Sequence, residues 1–348
     1  MLELSIYQNL GTRFLIPPEY NNPTQIGHAR RIAALYVIGR FGFSSKTVIQ
    51  YLLGIRREAI NKLFRKLVTD GLINERKSFG SKDGAVYYLS AKGKRFISFE
   101  TELEYHQKTD TSAHNSKTEI HDLSIQICMI NRLLHSRENY TAFVTEKELR
   151  ELGYGTFGEL RNERAVDGLL YLSAGDCKDN CMNNCSDSSK SYSCWHSLEI
   201  ETSNAKNKRA ANNYLRPEIL EKYRRQLVAE DGLYSRVLFF SHRERFLRQI
   251  AARTDEIIKE NALGYTDKDI EVLTASLKYV HSFCPTLYEL FWNPDSKLDK
   301  DSHIKIDQDR IEQAVALYSV NSSNEYQQGL TDVFRTLGIK HPDIPTNN

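Results

Sequence analysis

Apolar residues recur at helical spacing in three stretches near the start of the chain. HARRIAALYVIGRFG (28–42) carries such a stripe and stops at Gly42. SKTVIQYLL follows, with Ser44 and Ser45 as N-cap candidates and Gly54 as its stop. IRREAINKLFRKLVTDGLI places Ile55, Ala59, Ile60, Leu63, Phe64, Leu67 and Val68 on one face, a period near 3.6. INERKSF and AVYYLSAKG, on either side of a GSKDG turn, predict a two-stranded hairpin. The polar run TELEYHQKTDTSAHNSK then reads as a linker.

Beyond the linker the pattern changes. KTEIHDLSIQICMINRLLHSR (117–137) has a helical stripe, and a short apolar run at 141–144 predicts a strand. RAVDGLLYLSA (164–174), CWHSLEIET and SRVLFFS (235–241) are nearly continuous apolar runs, as expected of strands covered on both faces. RPEILEKYRRQLVAE (216–230), with Pro217 at a first helical turn, and HRERFLRQIAARTDEIIKE read as helices around the last of these strands. TDKDIEVLTASLKYVHSF and DQDRIEQAVALYSVN also read as helices, and the tail HPDIPTNN as frayed. The expected organisation is therefore a helical domain with a hairpin over 1–100, a linker over 101–116, an α/β domain over 117–255 and a helical C-terminal region over 256–348.

Composition excludes two classes. A 348-residue chain with 40% hydrophobic and 26% charged residues fits a globular protein and argues against wholesale disorder. No apolar run approaches the ~20 residues of a membrane-spanning helix, and MLELSIYQNLGTRF lacks the layout of a signal peptide, so a cytoplasmic protein without membrane insertion is expected. The net charge of +2 conceals an asymmetry: residues 1–98 hold 16 Lys/Arg against 6 Asp/Glu, leaving the rest of the chain acidic. A basic domain joined to an acidic one points to a polyanionic partner for the first.

Helix, helix, basic helix and hairpin is the order of a winged helix-turn-helix domain, in which the third helix enters the major groove and the wing touches backbone. Arg56, Arg57, Asn61, Lys62 and Arg65 occupy the polar face of that helix. Arg76, Lys77 and Lys82 on the hairpin are candidate phosphate contacts. The other reading of the same face is a solvated surface on a protein-interaction module.

The α/β domain carries acids where a fold alone has little use for them. Asp167 interrupts one apolar strand, while Glu199 and Glu201 stand two residues apart on the next and so share a face. Neighbouring carboxylates repel, and burying them uncompensated is costly. Oxygen ligands converging from adjacent strands suit a hard cation such as Mg²⁺ or Mn²⁺. Two plainer readings stay open: Asp167-Gly168 as a bulge signal, and Glu199 and Glu201 on a wet face beside Lys206, Lys208 and Arg209. Four cysteines, Cys177, Cys181, Cys185 and Cys194, admit a zinc site or thiols without a metal. Tyr214 and Tyr223 are conceivable nucleophiles.

Asp167 followed by Glu199-Ile200-Glu201 resembles the PD-(D/E)XK restriction-endonuclease-like superfamily, whose pattern takes Asp from one strand and Glu-x-Lys from the next. Here Glu201 stands where that lysine is expected, and Val166 replaces the proline. Some members supply the lysine from the following helix, which implies Lys222, with Lys206 and Lys208 as second choices. Glu119 matches an additional acid that many members carry on the first helix. Joined to a winged helix, the segments EIHDLSI, RAVDGLLYL, SLEIETSNAK and LEKYRRQL are similar to the replication-relaxation family and the MobC-class plasmid relaxases. The resemblance implies Asp167, Glu199 and Glu201 as metal ligands and catalytic residues, and Lys222 as the phosphate-facing cation. It implies a metal-dependent nickase acting at a transfer origin, with DNA and accessory mobilisation proteins as partners. A restriction, repair or defence nuclease is one alternative. A catalytically inactive DNA-binding regulator is the other, with the missing strand lysine in its favour.

Overall fold

The computed structural model describes residues 4–15, 22–78, 81, 83–105, 116–135, 139–154, 163, 165–173, 194–201, 215–229, 232–241, 244–260 and 263–281. The protein is a mixed helix-and-sheet molecule that divides into two units. One holds Thr12–Ile130, and the other combines Met1–Gly11 with Asn131–Ser282. No described helix is long and apolar enough to cross a membrane.

The first unit begins with α2 (Pro23–Phe41), α1 (Ser5–Leu10) belonging to the other unit. α2 starts five residues before the expected His28, because Asn22 accepts from the Thr24 amide at 2.8 Å and Pro23 fills the first turn. α3 (Lys46–Leu53) is capped by Ser45 and stopped by Gly54 in the left-handed region, as its sequence implies. α4 (Arg57–Thr69) buries Ile60, Phe64 and Leu67. β1 (Ile73–Lys77) and β2 (Ala85–Leu89) pair antiparallel, with Ile73 opposite Leu89 and Lys77 opposite Ala85. The Phe64 ring meets the edge of Tyr87 at 4.6 Å, fixing α4 to the hairpin.

Two features of this unit depart from expectation. SAKG, read as the end of a strand, opens α5 (Ala91–Thr101): Ser90 accepts from the Gly93 amide at 2.9 Å. A Cβ on Gly93 would stand 2.0 Å from the Leu72 carbonyl oxygen, so only glycine permits this close seat. The second departure is α6 (Ser116–His135), whose span contains the division between units. Its buried Gln126 accepts from Ser44 Oγ at 2.7 Å and donates to the Phe43 carbonyl at 2.9 Å. The first part of α6 is thus built into the helical unit, not into the sheet that follows it in sequence.

The second unit is organised on a five-stranded sheet in the order β3-β4-β5-β6-β7. Its strands are β3 (Tyr140–Thr145), β4 (Gly168–Leu172), β5 (Trp195–Glu201), β6 (Arg236–Ser241) and β7 (Leu277–His281). β4 pairs antiparallel with both β3 and β5, whereas β5, β6 and β7 are parallel. Parallel neighbours need a crossover. α8 (Pro217–Val228) lies in the β5–β6 connection, and α9 (Glu244–Glu260) and α10 (Asp267–Ser276) in the β6–β7 connection. The short α7 (Glu146–Glu151) follows β3, with a capping box between Thr145 and Glu148.

One core cluster contains Trp195, Leu220, Tyr223, Val237, Phe239, Ile250 and Leu273, joining α8, α9 and α10 to one face of the sheet. On the other face Arg132 lies over the Phe240 ring at 4.8 Å. β7 is the correction here. LKYVH was expected to continue a helix, but Tyr279 stacks on Phe239 at 5.5 Å and the segment pairs with β6 as a fifth strand. The expected C-terminal helix over DQDRIEQAVALYSVN lies outside the described residues.

Candidate active site

β4 and β5 are in register with Gly168 opposite Leu198. Extending that register by one residue sets Asp167 beside Glu199. Asp167 Oδ2 accepts from the Ile200 amide at 2.7 Å, so the carboxylate stands in for a backbone acceptor where the ladder ends. Glu199 is 1% exposed, and its Oε1 accepts from the Tyr223 hydroxyl at 2.8 Å. Tyr223 is itself 1% exposed and meets Phe239 edge-on at 5.8 Å. Along β6 the backbone register sets Glu199 opposite Phe239 and Glu201 opposite Ser241, and Glu199 occupies the β5 face that α8 covers.

Local reasons for this placement are visible. An apolar strand carries Glu199 into the interior, and α8, started by Pro217, buries Leu220 and Tyr223 on the face turned to the sheet. A hydroxyl from that face compensates the buried carboxylate. The hydrogen bond from Tyr223 to Glu199 is the site contact that sequence reasoning missed. The Tyr223 hydroxyl, a candidate nucleophile by sequence, is enclosed and donates to Glu199. The available signal was Leu220 and Tyr223 three residues apart on one helical face, opposite an acid on a buried strand.

The remaining expected residues are distributed as follows. The Glu201 side chain, Lys206, Lys208 and Tyr214 lie outside the described residues. Lys222 is half-buried on α8, and helical geometry turns it about 100° away from Tyr223. Glu119 belongs to the other unit. It is 2% exposed and bonds to Arg76 and to Ser78 Oγ, so its carboxylate holds β1 to α6 within that unit. Among the described residues no group of three or more His, Cys, Asp or Glu could hold a metal ion. Asp167 and Glu199 are two all-oxygen donors at neighbouring positions, a set whose chemistry fits a hard cation and wants a third ligand. Cys177, Cys181 and Cys185 lie outside the described residues, and Cys194 is disulfide-bonded and so not a free thiol.

Behind the acids, on the opposite face of β5, His196 is fully buried. Its Nδ1 lies 2.9 Å from the Tyr140 hydroxyl, while Nε2 is buried with no partner. Burial, with a smaller contribution from the Arg236 charge, pushes its pKa down to about 3, so the ring is neutral.

In the helical unit the expected DNA-facing residues separate into two groups. Arg56, Lys62 and Arg65 on α4 and Lys77 at the end of β1 are exposed, and Asn61 is half-buried between them. Arg57 and Arg76 are engaged internally. Arg57 pairs with Asp83, which also accepts from the Thr47 amide at 2.8 Å and from Thr47 Oγ1 at 3.1 Å. Asp83 thereby ties the hairpin turn to the starts of α3 and α4. Arg76 pairs with Glu119 and lies 5.2 Å from the Tyr88 ring centre. Lys82 lies outside the described residues.

Comparison with known proteins finds no matching family model, no matching curated protein and no matching solved structure.

Proposed function

We propose that the chain is a metal-dependent DNA-nicking endonuclease of relaxase type, a winged-helix unit for DNA recognition joined to a restriction-endonuclease-like unit for cleavage. The observation that carries this reading is the juxtaposition of Asp167, one residue before β4, with Glu199 on the adjacent β5, Glu201 following two residues further along β5. Helix α4 and the hairpin would lie on DNA through Arg56, Asn61, Lys62, Arg65 and Lys77, with Arg57 and Arg76 setting the shape of that surface from within. Asp167, Glu199 and Glu201 would hold a Mg²⁺ or Mn²⁺ ion. Such an ion polarises a phosphodiester and stabilises the leaving oxygen. Tyr223 would keep Glu199 aimed, and Lys222 would meet phosphate at the rim of the site. In this reading the protein works in the cytoplasm at a transfer origin, alongside accessory mobilisation proteins.

A nicking assay tests it, using supercoiled DNA carrying the gene's own flanking region, with Mg²⁺ or EDTA, and breaks mapped on a sequencing gel. The expected result is one single-strand break, lost in EDTA and in Asp167→Ala, with DNA binding retained. Double-strand cuts without preference for that region would favour a restriction, repair or defence nuclease. A second reading, the catalytically inactive DNA-binding regulator, draws on the hydrogen bonds that already occupy one oxygen of Asp167 and one of Glu199. Tight specific binding with intact DNA in every divalent metal would select it and refute the nickase.

A further inference from the structure

Among the described residues Phe99 is the most exposed large apolar side chain, at 86%. It sits on α5, whose opposite side buries Gly93, Ile97 and Thr101. Lys92, Arg95 and Phe99 are exposed and spaced three and four residues apart, so they form an outward stripe, and the exposed Glu102 follows at the end of the helix. A lone aromatic on a surface needs no explanation. An aromatic centred between a basic half and an acidic end does.

The charge order on this stripe runs against the helix. Lys92, Lys94 and Arg95 lie in the first turns, and no acid accompanies them there. Glu100 and Glu102 lie at the other end, where the last turn holds no basic residue. The macrodipole disfavours both placements. Glu102 adds a backbone cost. At φ 61° it is the one non-glycine residue with positive φ among the described residues, at a helix-ending position where glycine is the usual occupant.

We propose that α5 is a self-association element: two copies of the chain pair antiparallel through their α5 helices, across a twofold axis beside Phe99. The two Phe99 rings then pack on each other, and Arg95 of each copy faces Glu102 of the other. Antiparallel pairing turns the unfavourable charge order into complementarity, since each basic half meets an acidic end and the two dipoles oppose. Lys92 contributes less, because its Nζ already donates to the Asp70 carbonyl at 2.8 Å. A nucleic acid is the poorer occupant, because its phosphates would meet Glu102 as well as Arg95. The contact is isologous, so it closes at a dimer. An 11-residue helix is about 16 Å long and offers less than the ~800 Å² per partner of a standard interface. The dimer is accordingly expected to be weak and to form only at high concentration.

Sedimentation velocity on the full chain without DNA, from about 5 to about 200 µM, tests this. The expected result is a sedimentation coefficient that rises with concentration in the wild type and stays monomeric in Phe99→Asp. Arg95→Glu and Glu102→Arg should each be monomeric, because like charges then face each other. An equimolar mixture of those two variants, and the double variant, should associate again. Circular dichroism would confirm that each variant is folded, as expected for exposed positions. A wild type that stays monomeric throughout overturns the proposal, as does a mixture that fails to restore association. If the wild type is monomeric and Phe99→Asp weakens DNA binding, the stripe belongs to nucleic acid and the proposal is equally overturned.

Discussion

Substituting Tyr223→Phe removes one oxygen atom and tests whether the buried carboxylate depends on its hydroxyl donor. Tyr223 and Glu199 are each 1% exposed and 2.8 Å apart, so water offers no easy replacement for the lost bond. The ring stays, and its contact with Phe239 at 5.8 Å is kept. A hydrogen bond to a charged acceptor contributes about 1.5–3 kcal/mol, and this range is the expected loss of stability. With a urea slope of about 2 kcal/mol per M, the midpoint should fall by roughly 1 M with the slope unchanged. Only two tryptophans occur in the chain. A Trp292→Phe background leaves Trp195, which begins β5 and is 4% exposed, as the sole tryptophan, selectively excited on the sheet. The control is a double-mutant cycle with Glu199→Gln, in which a coupling of about 1 kcal/mol or more is expected. A loss below about 0.5 kcal/mol, or the same loss in both backgrounds, would falsify the assignment of Tyr223 as the residue that positions Glu199.

Three further outcomes are expected. Asp83→Ala removes the acceptor shared by Arg57 and the start of α3, and thermal unfolding should show a loss of about 2–4 kcal/mol; a loss under half a kcal/mol would mean the hairpin holds its place by other contacts. Lys62→Ala and Arg65→Ala should each weaken DNA binding and lower the salt slope by about 1 in anisotropy titrations, whereas Arg76→Ala should cost stability and leave the slope intact; a reversed pattern would return Arg76 to the DNA surface. His196 holds a pKa of about 3 in the folded chain against about 6.5 unfolded, so the unfolded state takes up the extra proton and stability falls as pH drops through that window, by about 1.4 kcal/mol per pH unit. Urea midpoints measured from pH 7 to pH 4.5 should therefore fall more steeply in wild type than in His196→Gln, and parallel slopes would show that the ring is not buried neutral.

Sequence by itself determined the local elements of this protein. The stops at Gly42 and Gly54, the cap at Ser45 and the apolar runs of β4, β5 and β6 are decided within a few residues, by backbone freedom, orphan amides and side-chain period. The charge asymmetry between the two parts of the chain was equally plain. Two adjacent β-rich runs each carried an acid, but that Asp167 falls one residue before β4 and accepts from the Ile200 amide was not legible. Ser90 and Pro23 carried ordinary capping signals for α5 and the start of α2, but each adjoined a stronger competing pattern.

Only the tertiary structure decided which groups meet. Arg57 finds Asp83 across 26 residues, Arg76 finds Glu119 across 43, and Tyr223 finds Glu199 across 24. No periodicity reports such partners, because a side chain's charge and reach are the same whether it faces solvent, phosphate or a buried acid. The same holds for LKYVH, whose apolar spacing suits a helix or an edge strand until Phe239 and β6 are there to receive it. Glu119 shows the consequence most clearly. Family resemblance implied an additional acid there, and the structure shows its carboxylate bonded to Arg76 and to Ser78 Oγ.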